Sequence, residues 1–153
     1  MIILGIDPGT VKIGYSVLDT KNGPKVLDYG LISIKSKDKT ERLAEIAKNI
    51  RSIIPKWQVN ALSIEELFFF KNAKTVISVA EARGAIILTA VEAGLKVYEY
   101  TPLEVKQRVT GFGRADKKQV EKMVRLLTKI ETPRLADDIT DAIAVALAAY
   151  SNK

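Results

Sequence analysis

The first third of the chain alternates apolar, strand-like runs with turn sequences. Residues 2–7 form a nearly continuous apolar run, which is typical of a strand buried on both faces of a sheet. An Asp-Pro-Gly-Thr turn sequence follows at residues 7–10, and a second strand is predicted over 12–19. A Lys-Asn-Gly-Pro turn at 21–24 then leads into a third strand over 25–34. The pattern therefore predicts a three-stranded meander.

Helical spacing of apolar residues appears after the meander. Over residues 43–57 this spacing predicts an amphipathic helix that ends near Pro55. A short strand is predicted over 61–65, a long helix over 72–93 and a fifth strand over 96–100. The long helix carries apolar residues on more than one side, which is typical of a helix that lies deep in a core or is shared with another subunit.

Three further helices are predicted towards the end of the chain. The first starts at Thr101, with proline at its first position and glutamate at its third. The second is capped by Asp116, and the third begins among the acidic residues of 137–141 and is apolar on nearly every side. The order β-β-β-α-β-α-β-α-α-α predicts an α/β fold, in which helices flank one five-stranded mixed sheet. We expect residues 1–153 to form a single domain.

The composition removes several kinds of chemistry. The chain has no Cys and no His, so it has no disulfides, no thiolate metal site and no imidazole base or ligand. Any hydrolytic reaction must then use carboxylates, lysine, tyrosine or metal-activated water. The first residues show no basic region and no cleavage site, and no apolar stretch reaches the length of about 18 residues needed to span a membrane, so we expect neither a secretory leader nor a membrane span. We therefore expect a cytoplasmic protein without a membrane partner.

Positive charge is concentrated in one segment. The formal net charge is +6, and residues 104–129 alone hold eight basic and three acidic residues, a local charge of +5. Such a segment is either a solvated helix face or a surface that contacts phosphates. Its position beside a group of acidic residues favours the second interpretation.

Four acidic residues lie where apolar elements begin or end. Asp7 and Glu65 each close a predicted strand, and Asp138 and Asp141 open the last helix. Taken singly, they could initiate turns or cap a helix. In a mixed sheet, however, the ends of the first and fourth strands can be neighbours, and a helix start can reach them. Clustered carboxylates repel one another unless they hold a hard divalent cation such as Mg²⁺, so the set predicts metal-assisted phosphodiester chemistry.

A series of short motifs supports a more specific prediction. They are Gly-Ile-Asp-Pro-Gly-Thr at 5–10, Ile-Glu at 64–65 followed by Phe68 and Lys71-Asn72, Ala-Arg-Gly at 82–84, Val-Lys-Gln at 105–107, Gly-Phe-Gly at 111–113 and Asp-Ile-Thr-Asp-Ala at 138–142. In this order and spacing the chain resembles the RuvC family of bacterial Holliday-junction resolvases over essentially its whole length. The resemblance implies an RNase H-like fold and a homodimer. It also implies Mg²⁺-dependent nicking of two opposed junction strands in recombination and repair, leaving 5′-phosphate and 3′-hydroxyl ends.

The resemblance also assigns roles to residues. The catalytic carboxylates fall on Asp7, Glu65, Asp138 and Asp141, which are expected to hold two Mg²⁺ ions, with Mn²⁺ as a possible substitute. Lys117 is expected to assist catalysis by offsetting charge on the phosphate. The residues predicted to contact DNA are Phe68 as a base-stacking aromatic, Lys71, Lys106, Arg108, Arg114, Lys117 and Lys118.

The partners implied by this prediction are four-way junction DNA, a second copy of the chain and a branch-migration motor complex. The long helix is expected to form the dimer interface through Val76, Val79, Ala80, Arg83 and Ile87. Two alternatives remain at this stage. One is a nucleotide-binding module of the actin or sugar-kinase type, although 153 residues supply only one of the two lobes such proteins need. The other is a junction-binding protein without catalytic activity.

Overall fold

The structure, a computed structural model, describes residues 1–67 and 73–150. The strands are β1 (Ile2–Asp7), β2 (Lys12–Asp19), β3 (Lys25–Ser33), β4 (Ala61–Glu65) and β5 (Lys96–Tyr100). The helices are α1 (Lys39–Trp57), α2 (Ala73–Glu92), α3 (Pro102–Thr110), α4 (Lys117–Thr128) and α5 (Asp137–Tyr150). The predicted order of strands and helices is confirmed.

The five strands form one mixed sheet in the order β3-β2-β1-β4-β5. The meander strands pair antiparallel, as short turns require, whereas β1 pairs parallel with β4 and β4 pairs parallel with β5. Parallel pairing needs crossover connections, and helices α1 and α2 supply them. The carboxyl ends of β1, β4 and β5 therefore lie at the same edge of the sheet.

Apolar residues on the two faces of the sheet form two separate cores. Ile3 packs in a core with α3, α4 and α5, whereas Leu4 and Ile6 pack in a core with α1 and α2. All three side chains are fully buried. This explains why β1 reads as a continuous apolar run, since each side chain enters one core or the other. Helix α5 is buried from Ala142 to Ala149 because it lies across the strands rather than beside them.

Two helix starts follow their predicted local chemistry. Thr101 and Glu104 form a capping box at the start of α3, and Asp116 and Gln119 form another at the start of α4. In each box the side chain of the capping residue accepts a hydrogen bond from the backbone N–H of the third helical residue. The side chain of that third residue in turn accepts one from the backbone N–H of the capping residue. These caps fix the directions in which the basic helices leave the sheet edge.

Helix α1 ends two residues beyond Pro55, the residue near which its end was predicted. The helix continues through Pro55 and ends at Trp57. Proline lies in the last turn, where its ring removes one helical hydrogen bond without interrupting a long run of them. Gln58 caps this end, since it adopts a left-handed conformation with φ 50° and donates its N–H to the carbonyls of Ile54 and Pro55. In the part of the chain that is described, no helix is both long and apolar enough to cross a membrane.

Candidate active site

Asp7 and Glu65 are brought side by side by the pairing of β1 with β4. Ile6 is paired with Ile64, so the next residue on each strand continues the same register. Neighbouring strands are about 4.8 Å apart, and residues opposite each other in a parallel pair point to the same face. Both carboxylates lie on the face that carries α5, because Ser63, two residues before Glu65, bonds to that helix. The first two predicted acids therefore share one corner of the sheet.

Helix α5 approaches this corner unusually closely because two sheet residues have no side chain. A Cβ atom added to Gly14, the partner of Asp7 on β2, would lie 1.9 Å from the carbonyl oxygen of Asp138. A Cβ atom added to Gly5 would lie 2.2 Å from the carbonyl oxygen of Ala142. Glycine at these positions lets the helix backbone rest directly on the strands. The start of α5, with Asp138 and Asp141, is thereby held next to Asp7.

Two buried serines bond the same helix to the sheet. The Ser16 hydroxyl donates to the carbonyl of Ala142 at 2.9 Å, and the Ser63 hydroxyl donates to the carbonyl of Val145 at 2.6 Å. Both side chains are fully buried. We call Gly5, Gly14, Ser16 and Ser63 the docking surface of α5. No prediction from the sequence included this surface, although one signal was present: a small residue stands two positions before the acid on both β1 and β4.

The four predicted carboxylates influence one another electrostatically. Burial, followed by the negative charges of Asp141, Glu65 and Asp138, raises the pKa of Asp7 to about 7. Burial, followed by the charge of Asp141, likewise raises the pKa of Glu65 to about 7. The pKa of Asp141 is also raised, chiefly by burial. The structure thus brings Asp7, Glu65 and Asp141 together at one cleft, whereas Asp138 acts on Asp7 and Asp141 through its charge and does not line that cleft.

Two lysines face the acids from α3 and α4. The positive charge of Lys106 partly offsets the rise in the pKa values of Glu65 and Asp141. The positive charge of Lys117 partly offsets the rise in those of Asp7 and Asp141. Lys117 Nζ bonds to Asp137 Oδ2 at 3.0 Å, and both side chains are about three-quarters exposed. The hydrogen bond to Asp137 is the main cause of the raised pKa of Lys117. Asp137 is therefore a counterion for Lys117, a role that the sequence analysis missed.

These side chains line an open cleft of about 720 Å³. The residues that line it include Asp7, Glu65, Asp141, Lys106, Lys117 and Gly113. Acids lie at its floor, where β1 and β4 end, and lysines lie on the walls that α3 and α4 supply. An anionic substrate would therefore be held by the walls while its reacting group meets the carboxylates.

The donor set at the floor fits a hard divalent cation. It consists of carboxylate oxygens only, the ligands that Mg²⁺ and Mn²⁺ prefer. The raised pKa values of Asp7 and Glu65 reflect buried, mutually repelling charges, which a bound cation would offset. Within residues 1–67 and 73–150, no three acidic side chains are already arranged so that they could hold a metal ion.

The other residues predicted to contact DNA lie in different surroundings. The Arg108 guanidinium lies over the Tyr100 ring, 4.8 Å from its centre, so the ring covers one face of the group that was predicted to contact DNA. Arg114 and Lys118 are exposed beside the start of α4. Phe68 and Lys71 lie outside the described residues, and their roles stay predictions from the resemblance.

The residues predicted for the dimer interface are only partly exposed for contact with another chain. Val76, Val79 and Ile87 are half-buried, and Ile87 packs against the core of its own chain. Arg83 Nε donates to the carbonyl of Glu65 at 3.0 Å, and its guanidinium forms an ion pair with Glu99. Arg83 therefore supports the end of β4 next to the site.

An exposed stripe runs along α2 beside these residues. It consists of Ile77, Ala80, Gly84, Leu88 and Val91, spaced by three or four residues. Ile77, Leu88 and Val91 are each more than half exposed. Of the predicted residues, Ala80 belongs to this stripe.

The sequence model of the family described as crossover junction endodeoxyribonuclease RuvC matches residues 3–149 of this chain. The chain belongs to the RuvC family. This confirms the resemblance on which the site residues were assigned. It also favours the nuclease interpretation over the actin or sugar-kinase alternative.

Individual RuvC proteins give the same result. The crossover junction endodeoxyribonuclease RuvC of Caldicellulosiruptor saccharolyticus is 49% identical over 150 residues, covering 96% of this chain and 90% of the relative. That of Moorella thermoacetica is 48% identical over 149 residues, covering 96% and 89%. The solved structure of Thermus thermophilus RuvC in complex with a Holliday junction substrate superposes with a TM-score of 0.90 at 30% identity, covering 97% of this chain and 92% of that one. The predicted RNase H-like fold is thus confirmed.

Proposed function

We propose that this protein is a structure-specific endonuclease that resolves Holliday junctions in recombination and repair. It would nick two opposed strands of a four-way DNA junction and leave 5′-phosphate and 3′-hydroxyl ends. The observation that carries the proposal is the cleft in which Asp7, Glu65 and Asp141 meet between Lys106 and Lys117, in a chain of the RuvC family.

RuvC proteins are metal-dependent nucleases, and we propose Mg²⁺, two ions per subunit, as the cofactor here. Asp7, at the end of the central strand, would hold the ions together with Glu65, Asp138 and Asp141. When bound, such ions polarise the scissile phosphate and make water a stronger nucleophile at neutral pH. Mn²⁺ accepts the same oxygen ligands and is proposed as a substitute.

The lysines of the cleft would bind and orient the phosphate. Lys106 already faces Glu65 and Asp141 from α3, so a phosphate drawn to Lys106 lies against the acids. Lys117 is held by Asp137 at the rim of the cleft, in an exposed ion pair that contributes little stability by itself. A phosphate would therefore replace Asp137 at low cost, and Lys117 would offset the charge that develops on the phosphate.

We further propose that a second copy of the chain packs on the exposed stripe of α2. Gly84 lies near its middle, and an added Cβ there would meet nothing within 4 Å, so another helix can approach closely. A two-fold dimer would present two clefts, as cutting two opposed strands requires. A branch-migration motor as a further partner stays a prediction from the resemblance.

A synthetic four-way junction labelled on each strand in turn tests the nuclease function. The wild-type protein should nick opposed strands when Mg²⁺ is added and should not do so in EDTA. Asp7→Asn should abolish nicking and retain junction binding, because it removes a metal ligand and also reduces repulsion of the phosphates. Asp19→Asn is the matched control, since Asp19 lies on β2 at the opposite end of the sheet. Junction binding without metal-dependent nicking by the wild type would instead identify a non-catalytic binding protein.

A further inference from the structure

An exposed aromatic residue stands at the edge of the cleft without a role in the function proposed above. Phe112 lies in the short connection between α3 and α4 and is 56% exposed. The next residue, Gly113, lines the cleft. A single exposed phenylalanine is common on protein surfaces, so exposure alone does not indicate a binding site. The loop that carries Phe112 and its surroundings must also point to a ligand.

The loop that carries Phe112 is tied down by hydrogen bonds on both sides. The Gln107 side chain donates to the carbonyl of Gly111 at 2.8 Å and accepts from the N–H of Gly113 at 2.9 Å. Phe112 donates its N–H to the Thr110 hydroxyl at 3.0 Å, and its carbonyl accepts from the N–H of Ala115 at 3.0 Å. Both backbone polar groups of Phe112 are thus hydrogen-bonded inside the protein, so the aromatic side chain is presented from an ordered backbone.

The positions on either side of Phe112 each require glycine, for different structural reasons. Gly111 ends α3 in the left-handed region with φ 78°, where a side chain would be strained. A Cβ atom on Gly113 would lie 3.1 Å from the Leu103 side chain, so glycine lets the loop pack onto α3. Together they leave the Phe112 ring flanked by residues without side chains. A flat ligand can therefore approach the ring without meeting its chain neighbours.

The charges around the ring indicate which flat ligand would bind. Arg114, Lys117 and Lys118 follow Phe112 within six residues, and all three are exposed. A nucleobase joined to phosphates combines a flat apolar face with negative charge, which matches an aromatic ring among cations. A peptide or lipid partner would explain the apolar ring or the cations but would not need both beside a nuclease cleft.

We infer that Phe112 is a stacking platform for a nucleobase of the DNA strand whose phosphate enters the cleft. The inference rests on the proposed function, since it places the base beside the phosphate held by Lys106 and Lys117. The ordered loop reduces the entropy lost on binding, so the stacked base would fix the position of the strand along the cleft. Phe112 would then act as a positioning residue for the scissile phosphate.

Three substitutions of Phe112 test this, in an Asp7→Asn background that prevents nicking. Stacking on an aromatic residue predicts that Phe112→Ala weakens binding of a four-way junction by about five-fold to about a hundred-fold. Phe112→Leu, which keeps apolar area but has no π face, should lose nearly as much, and Phe112→Trp should bind as well as phenylalanine or better. Leu126→Ala is the control, because Leu126 is 66% exposed on α4 and lies nine residues beyond Lys117.

A spectroscopic readout separates stacking from a general loss of affinity. Junctions that carry 2-aminopurine at each position near the cleavage site in turn should show quenching at one position with Phe112 or Trp, and none there with Ala or Leu. Normal binding by the Ala variant would overturn the inference, as would full retention by Leu, which would reduce Phe112 to a plain apolar contact. If the parent protein with Phe112 intact binds no junction at all, the proposed function itself fails, and that outcome is visible before any Phe112 variant is compared.

Discussion

Gly14→Ala is the substitution that most directly tests how the site is assembled. Its Cβ atom would lie 1.9 Å from the carbonyl oxygen of Asp138, and real Cβ atoms almost never come closer than 3.0 Å to such an atom. The obstacle is helix backbone, which cannot rotate away as a side chain can. The start of α5 must therefore move away from β2 by at least 1.1 Å, the difference between the two distances.

This displacement would separate the two halves of the carboxylate cluster. Asp138 and Asp141 move with α5, whereas Asp7 stays on β1, which pairs with Gly14. A misplacement of about 1 Å can cost about a hundred-fold in rate, and we expect a loss of that order in single-turnover cleavage. Overpacking should also destabilise the fold by about 1–3 kcal/mol. Junction binding should change little, since the basic residues of α3 and α4 are retained.

The assay is single-turnover cleavage of a synthetic junction at saturating protein over a range of Mg²⁺ concentrations, together with a binding titration in EDTA. Gly30→Ala serves as the matched control. Gly30 lies on β3 in the same sheet, but its added Cβ would meet only the Tyr15 ring, at 3.0 Å, and that side chain can shift. A folded Gly14→Ala protein that cleaves at the wild-type rate would refute the proposed dependence of the site on close docking of α5.

Three further predictions concern charge and assembly. In EDTA the free energy of unfolding should fall as pH rises from about 4 to about 7, because the folded state, with the raised pKa values of Asp7 and Glu65, holds protons that the unfolded chain releases. Urea titrations across this range measure the fall, and added Mg²⁺ should reverse it above pH 7. A free energy of unfolding that does not change with pH would contradict the burial of these charges. Asp138→Asn should lose metal-dependent cleavage while Asp137→Asn stays active, because Asp137 only pairs with a lysine at the rim; equal activity of both variants would reduce Asp138 to a helix-capping residue. Leu88→Glu should give monomers in sedimentation, because Leu88 is 59% exposed on the stripe of α2, and an unchanged dimer would place the interface elsewhere.

Local sequence was sufficient wherever the cause of a structure lies within a few residues. The continuous apolar run of β1 predicts burial on both faces, and the Thr101 and Asp116 caps predict where α3 and α4 begin. Proline alone was misleading at residue 55, since a helix tolerates it in its last turn and the end is set by the conformation of Gln58. The four carboxylates were also predicted from the sequence, because each marks the end of a strand or the start of a helix.

Only the tertiary structure decided what these residues touch. The bond of Arg83 to the carbonyl of Glu65 and that of Lys117 to Asp137 join residues about 20 positions apart, and no local pattern predicts them. The same holds for Gly14, whose lack of a side chain matters only because the backbone of Asp138, far along the chain, rests on it. Sequence periodicity determines which face a residue occupies, but the distance between two packed elements depends on the side chains of both. The acids could therefore be predicted from the sequence alone, whereas the meeting of Asp7, Glu65 and Asp141 in one cleft was decided by the close packing of α5 on the sheet.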